Sequence, residues 1–167
     1  IKLHSSTKRV YPQHNIFSNL IGFQTSNLKS KIEKNFDNQL SNGSNINLTI
    51  DLRVQNIVRN ELSKSLKEYM AKAGLAIVMN VNSGEIISMV SLPDYDPNYP
   101  NSIIPNSENN LNTEARYEMG STLKIFNAAL AYENKSVIEN EIFDISNGYQ
   151  ITSRKIIKDN HIKKKLL

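Results

Sequence analysis

The sequence predicts an α+β fold in which an antiparallel sheet is packed by helices. Three observations carry this expectation. Residues 51–72 set Val54, Ile57, Val58, Leu62, Leu66, Tyr69 and Met70 at three- and four-residue intervals, the apolar stripe of one long helix. Two apolar β runs, Leu75 to Val81 and Glu85 to Val90, flank Asn82-Ser83-Gly84, which reads as a hairpin. A further helix is predicted from about Ser121 to about Lys135, with Leu123, Phe126, Ala129, Leu130 and Ala131 available for packing.

In chain order, residues 1–46 are polar and broken. Phe17, Leu20 and Ile21 have helical spacing, and Gly22 would close that short helix. Ile32, Phe36 and Leu40 recur every four residues, predicting a second short helix from Lys31 to Leu40. Ser41-Asn42-Gly43-Ser44-Asn45 is a cluster of turn formers, and a boundary is placed there. Asn45 to Ile50 alternates Ile46, Leu48 and Ile50 with polar neighbours, predicting a strand. Asp51 fits the N-cap of the long helix, its carboxylate accepting from free backbone N–H groups, and Gly74 is its expected stop. The hairpin strands are apolar on both faces, so part of the sheet should be covered. Residues 91–116 hold four prolines among many asparagines and read as a long loop, the kind that is often functional. Short strand-like pieces follow over 136–160, with a turn at Ser146-Asn147-Gly148. No internal repeat is found.

Composition excludes several classes of function. The 167 residues contain no cysteine, so disulfides, thiolate metal sites and cysteine nucleophiles are ruled out. His4, His14 and His161 are too scattered to suggest a metal site, and no cofactor is implied. No apolar run approaches the 18 residues of a membrane span, and no signal peptide is visible. Net charge is +4, with Arg154, Lys155, Lys158, Lys163, Lys164 and Lys165 late in the chain. No aromatic residues alternate with these cations, as a base-stacking surface would need, so a solvated face is the reading and nucleic acid is not expected as a partner. Asparagine, isoleucine and lysine supply 23, 20 and 15 residues; the lysine excess accounts for part of the basic charge, and the asparagine and lysine excess for an apolar fraction of only 39%.

Chemistry is carried by Ser121-Thr122-Leu123-Lys124, a Ser-x-x-Lys pattern. On a helix, residues three apart share a face, so the lysine amine can reach the serine hydroxyl. Serine is a weak nucleophile at neutral pH and needs an adjacent base, which a desolvated lysine supplies. At a helix start, free N–H groups and the dipole favour an oxyanion. The pattern is common by chance: Ser5/Lys8 and Ser26/Lys29 also match it, without a preceding glycine. Asp94 and Asp96 form a close carboxylate pair, but their proline–asparagine context reads as turn chemistry. Glu118 is the acid nearest Ser121; Lys124 is the sharper candidate for a base.

The surrounding string, Arg116-Tyr117-Glu118-Met119-Gly120-Ser121-Thr122-Leu123-Lys124-Ile125-Phe126, resembles the active-site segment of penicillin-binding protein transpeptidases, Tyr-Glu-Pro-Gly-Ser-Thr-x-Lys. Leu48-Thr49-Ile50-Asp51 with Gln55 and Glu61-Leu62 resembles the family's first strand and helix, and Ala76 to Val90 its first hairpin. Leu92-Pro93-Asp94-Tyr95-Asp96-Pro97-Asn98 is similar to its Pro-x-Tyr/Phe-Asp-Pro-Asn segment. Arg9-x-Tyr11-Pro12 and Ile32-Glu33-x-x-Phe36-Asp37 resemble the end of the N-terminal module in the class B, monofunctional members. The layout resembles both septal and elongation transpeptidases, with a lean to the septal type. Met119 departs from the usual proline and puts loop rigidity in question.

The resemblance implies a serine β-lactamase-like α+β transpeptidase domain, incomplete here: residues 1–46 as the end of a pedestal module and 47–167 as the first part of the domain. It implies Ser121 as nucleophile on D-Ala-D-Ala stem peptides, Lys124 as base, and β-lactams as acylating mimics. It further implies a role in cell-wall synthesis and division, contacts with division proteins, and a full-length protein anchored in the cytoplasmic membrane upstream of Ile1 with these residues on the periplasmic side. The family also needs a Ser-x-Asn and a Lys-Thr-Gly motif after the nucleophile. The only Ser-x-Asn here is Ser107-Glu108-Asn109, upstream of Ser121, and Lys-Thr-Gly and Lys-Ser-Gly are absent. These 167 residues alone are therefore expected to be inactive; a decayed or split gene product, or an interaction module using residues 1–46, is the alternative.

Overall fold

The computed structural model describes residues 8–144 and 147–158. Ser5, His4, His161, Ser146 and Lys163 to Lys165, named above, lie outside the described residues. By its contacts the chain divides into two compact units, Ile1–Arg116 and Tyr117–Leu167.

The first unit opens with a 3₁₀ turn, His14–Phe17, that runs into α1, Ser18–Ile21. The predicted helix over 31–40 is two: α2, Lys31–Asn35, and α3, Asp37–Ser41. Phe36 leaves helical geometry between them, at φ −110° and ψ 21°. The segment 45–50 forms no strand, and Thr49 lies in a bend. Its end is instead fastened to the hairpin by Asp51 N–H donating to the Ile87 carbonyl at 2.9 Å and Thr49 Oγ1 to the Ile86 carbonyl at 2.6 Å.

Helix α4 spans Leu52–Glu68, and the Asp51 side chain accepts from the N–H groups of Arg53 and Val54, as predicted for the cap. The helix ends earlier than expected, because Met70 takes a left-handed conformation at φ 50°. Gly74 is not its stop; it begins β1, where a Cβ would come within 2.6 Å of Leu66 Cδ1. The packed face is also rotated from the predicted stripe. Ile57, Tyr69 and Met70 are exposed, whereas Gln55 is buried.

Strands β1, Gly74–Met79, and β2, Ile86–Leu92, pair antiparallel from Gly74↔Leu92 to Met79↔Ile86, with a bulge at Val78/Met79. The turn is closed by Asn80, whose side chain accepts from the N–H groups of Asn82 and Ser83. The sheet is covered unevenly. Val90 and Leu92 of β2 are buried, while Ile77, Val78 and Met79 of β1 face solvent.

The proline-rich segment is mostly irregular, interrupted by a 3₁₀ turn at Pro100–Ser102 and by α5, Leu111–Glu114. It is not loose. Tyr95 joins Tyr11 and Phe23 in the small apolar core, with Ile21 and Ile103 against it. The Phe23 and Tyr95 rings meet edge to face, centroids 6.0 Å apart. Both sides of the Ser41–Asn45 turn are thus woven into one compact unit.

The second unit holds a 3₁₀ turn at Gly120–Leu123, α6 at Lys124–Glu133, and an antiparallel hairpin of β3, Tyr149–Thr152, and β4, Lys155–Ile157. None of its described residues is buried.

Candidate active site

Ser121 and Lys124 lie where the chain turns into α6. Gly120 has φ 51°, a conformation that L side chains rarely adopt and glycine adopts readily. Met119 before it is helical, at φ −70° and ψ −20°. Four residues of 3₁₀ geometry follow before the α-helix begins at Lys124. With three residues per turn, side chains three apart eclipse one another. Ser121 in this turn and Lys124, which opens α6, are three apart in the chain, the spacing that brings side chains to one face. Both residues are exposed, and no hydrogen bond to either side chain occurs among the described residues. The first N–H groups of such a turn have no partner within it and point toward the chain's N-terminal side.

Other Ser-x-x-Lys and carboxylate candidates are committed elsewhere. Lys29 of the Ser26/Lys29 match pairs with Asp37. Ser107 of the upstream Ser-x-Asn is fully buried, and its Oγ donates to the Ile104 carbonyl at 2.7 Å. Asp94 accepts from Arg59 Nε at 2.6 Å and Nη2 at 3.2 Å, and from Asn15 Nδ2 at 3.3 Å. Asp96 takes His14 Nδ1 at 2.8 Å, together with the N–H and side-chain amide of Asn98. These carboxylates latch the proline-rich segment onto His14, Asn15 and α4. Glu118 is exposed.

The two buried tyrosines are structural. Burial pushes the Tyr95 phenol up to about 12, and burial reinforced by the nearby Glu33 carboxylate does the same for Tyr11. Tyr95 Oη donates to the Ser18 carbonyl at 3.0 Å, and Tyr11 Oη accepts the Gln24 N–H at 2.8 Å. Arg154, Lys155 and Lys158 lie exposed on and beside the β3–β4 hairpin. Among the described residues, no group of three or more His, Cys, Asp or Glu is placed to hold a metal ion.

Sequence reasoning gave Arg59 no role and noted Gln55 only for its place in the motif. The stripe pattern scores apolar residues, so a buried amide or a half-buried guanidinium on the packed face does not register in it.

A family profile described as "Penicillin binding protein transpeptidase domain" matches residues 74–166. The chain is 32% identical over 174 residues to a "Probable peptidoglycan D,D-transpeptidase FtsI" of Caulobacter vibrioides, covering 100% of this chain and 29% of that protein. It is 40% identical over 96 residues to "Stage V sporulation protein D" of Bacillus subtilis, covering 57% of this chain and 15% of that protein. The solved structure of PBPA from Mycobacterium tuberculosis shares the fold, at a TM-score of 0.65 and 24% identity, over 84% of this chain and 39% of that one. The chain thus spans under a third of the length of these curated relatives.

Proposed function

The chain belongs to the penicillin-binding protein transpeptidase family, and on that premise we propose that it carries the nucleophile of a serine acyltransferase. The substrate class is the D-Ala-D-Ala end of peptidoglycan stem peptides. Ser121 Oγ attacks the carbonyl of the penultimate D-Ala while Lys124 Nζ accepts its proton. The terminal D-Ala leaves as the peptide bond breaks, taking a proton at its nitrogen. An amine of a neighbouring stem then attacks the acyl-enzyme, forms the cross-link and frees Ser121. A β-lactam enters the first half of this sequence and stays attached. No metal or organic cofactor takes part.

What supports this reading is local: Gly120 at positive φ leads into a 3₁₀ turn that holds Ser121 three residues before Lys124, the first residue of α6. Residues 47–167 are assigned to the first part of the transpeptidase domain and 1–46 to the end of its pedestal. The full-length protein is placed at the cytoplasmic membrane, with this part on the periplasmic side and in the septal rather than the elongation machinery. Among the described residues no helix is long and apolar enough to cross a membrane.

Among the described residues both Ser121 and Lys124 are exposed, so Lys124 is not desolvated, and the sequence holds no Ser-x-Asn or Lys-Thr-Gly motif after Ser121. The 167-residue protein is therefore expected to take no label from a fluorescent penicillin. A chimera in which these residues replace the aligned stretch of the Caulobacter relative should be labelled. Ser121→Ala should abolish that labelling, and Lys124→Ala should slow it by about 10²–10⁴. A folded chimera that takes no label, or equal labelling of the Ser121→Ala chimera, overturns the reading.

A further inference from the structure

Gln55 is a polar side chain with only 1% of its surface exposed. A buried amide is costly unless each of its polar atoms is paired. Here Nε2 donates to the Ile16 carbonyl at 3.0 Å and the Met89 carbonyl at 2.9 Å. Oε1 accepts from Ser88 Oγ at 2.8 Å and from Met89 N–H at 2.9 Å. Two donors and two acceptors are the full capacity of the group. Its partners lie 39 residues upstream, beside α1, and 33 and 34 residues downstream, on β2.

The amide occupies the place a neighbouring strand would take. It binds both backbone groups of Met89, on the edge of β2 that β1 does not use. The same edge is filled on either side, by Asp51 N–H on the Ile87 carbonyl and by Asn19 Nδ2 on the Ser91 carbonyl at 2.8 Å. An open β edge invites another strand; this one is sealed by side chains from α1 and α4 and by the α4 cap.

We propose that Gln55 is a coupling residue, making the seating of residues 14–22 and the register of β2 one cooperative event. If residues 14–22 lift, the Ile16 carbonyl and one Nε2 hydrogen leave a buried site unpaired. If β2 shifts, Ser88 and Met89 do the same to the other side of the amide. Either movement leaves a polar atom of the same buried amide unpaired, so the seating of both elements is felt by one side chain. A displacement imposed on residues 8–41 therefore reaches β2 through this side chain. The proposal stands independently of the acyl-transfer reading.

Hydrogen–deuterium exchange on the 167-residue protein tests it. Ser88→Ala removes one bond from the hairpin side, and Ser88 Oγ bonds nothing in residues 8–41. The expected result is exchange about fivefold faster at Met89 and also at Gly22 and Phe23, the scale of one lost hydrogen bond. The last turn of α4 should keep its wild-type rate. Adding Ser88→Ala to Gln55→Leu should give no further acceleration at Gly22. Acceleration confined to residues 86–91 overturns the proposal, and so does an equal rise along all of α4, which is global loosening. Should Gln55→Leu fail to fold, Ser88→Ala alone decides between these outcomes.

Discussion

The two units solve the problem of holding polar groups in opposite ways. In residues 8–116 the fastening is dense and largely polar: Gln55, Asn19, Asn98 and Arg59 each join segments distant in the chain. The apolar core there is small, three aromatic residues with Ile21 and Ile103 beside them. In residues 117–158 the reverse holds. Apolar side chains are plentiful, yet none of the described ones is buried, and Ile125 and Phe126 of α6 are 70% and 64% exposed. A helix apolar around much of its circumference is a helix meant to be enclosed. The unit proposed to carry the chemistry thus has no buried residue among those described, and the other unit has a small buried core.

The sharpest way to break this contrast is to remove a fastener from the first unit. Arg59 and Asp94 leave only 21% and 14% of their side-chain surface exposed, and the contact is two-pronged. Arg59→Met strands the Asp94 carboxylate with Asn15 as its remaining partner. The expected loss is about 3 kcal/mol in urea unfolding, the scale for breaking a mostly buried pair. A loss below about 1 kcal/mol would mean the pair behaves as an exposed one, and that polar fastening does not distinguish the two units.

That contrast also explains what could be read from the sequence. The hairpin, the Asp51 cap and the Gly120 start were legible because each rests on a few neighbouring residues. The α+β class followed from those. The strand expected at 45–50 failed for a nonlocal reason. Its alternation is real, but the β2 edge it would join is already held by Gln55 and Asn19. The helix over 31–40 failed at Phe36, where two short helices meet. Ser121 and Lys124 were legible as a pattern, whereas their exposure depends on what encloses α6, which no local pattern carries.

A smaller effect comes from the cap of α4. Hydrogen bonding to the Arg53 guanidinium, then to the N–H groups of Arg53 and Val54, holds the Asp51 carboxyl at about 2 against an ordinary 3.8. A carboxyl depressed in the folded state contributes fully above its unfolded value and loses that contribution as pH falls. Stability should therefore decline through the window from pH 3.8 to about 2. Asp51→Asn keeps a capping oxygen and removes the titration. The slope of stability against pH in that window should flatten in the variant; an unchanged slope would assign it to other carboxylates.

The smallest effect is the most informative about the second unit. Phe126 is 64% exposed on α6. In the 167-residue protein, Phe126→Ala should change unfolding free energy by less than about 0.5 kcal/mol, as exposed positions do. In the chimera that restores a full-length domain, the same substitution should cost about 3 kcal/mol, the lower end for emptying a buried phenylalanine site. Urea unfolding of both proteins gives the comparison directly. Equal small costs in both would mean α6 stays exposed even in the complete protein. Lys124 would then never be desolvated, and the base that Ser121 needs would have to come from elsewhere.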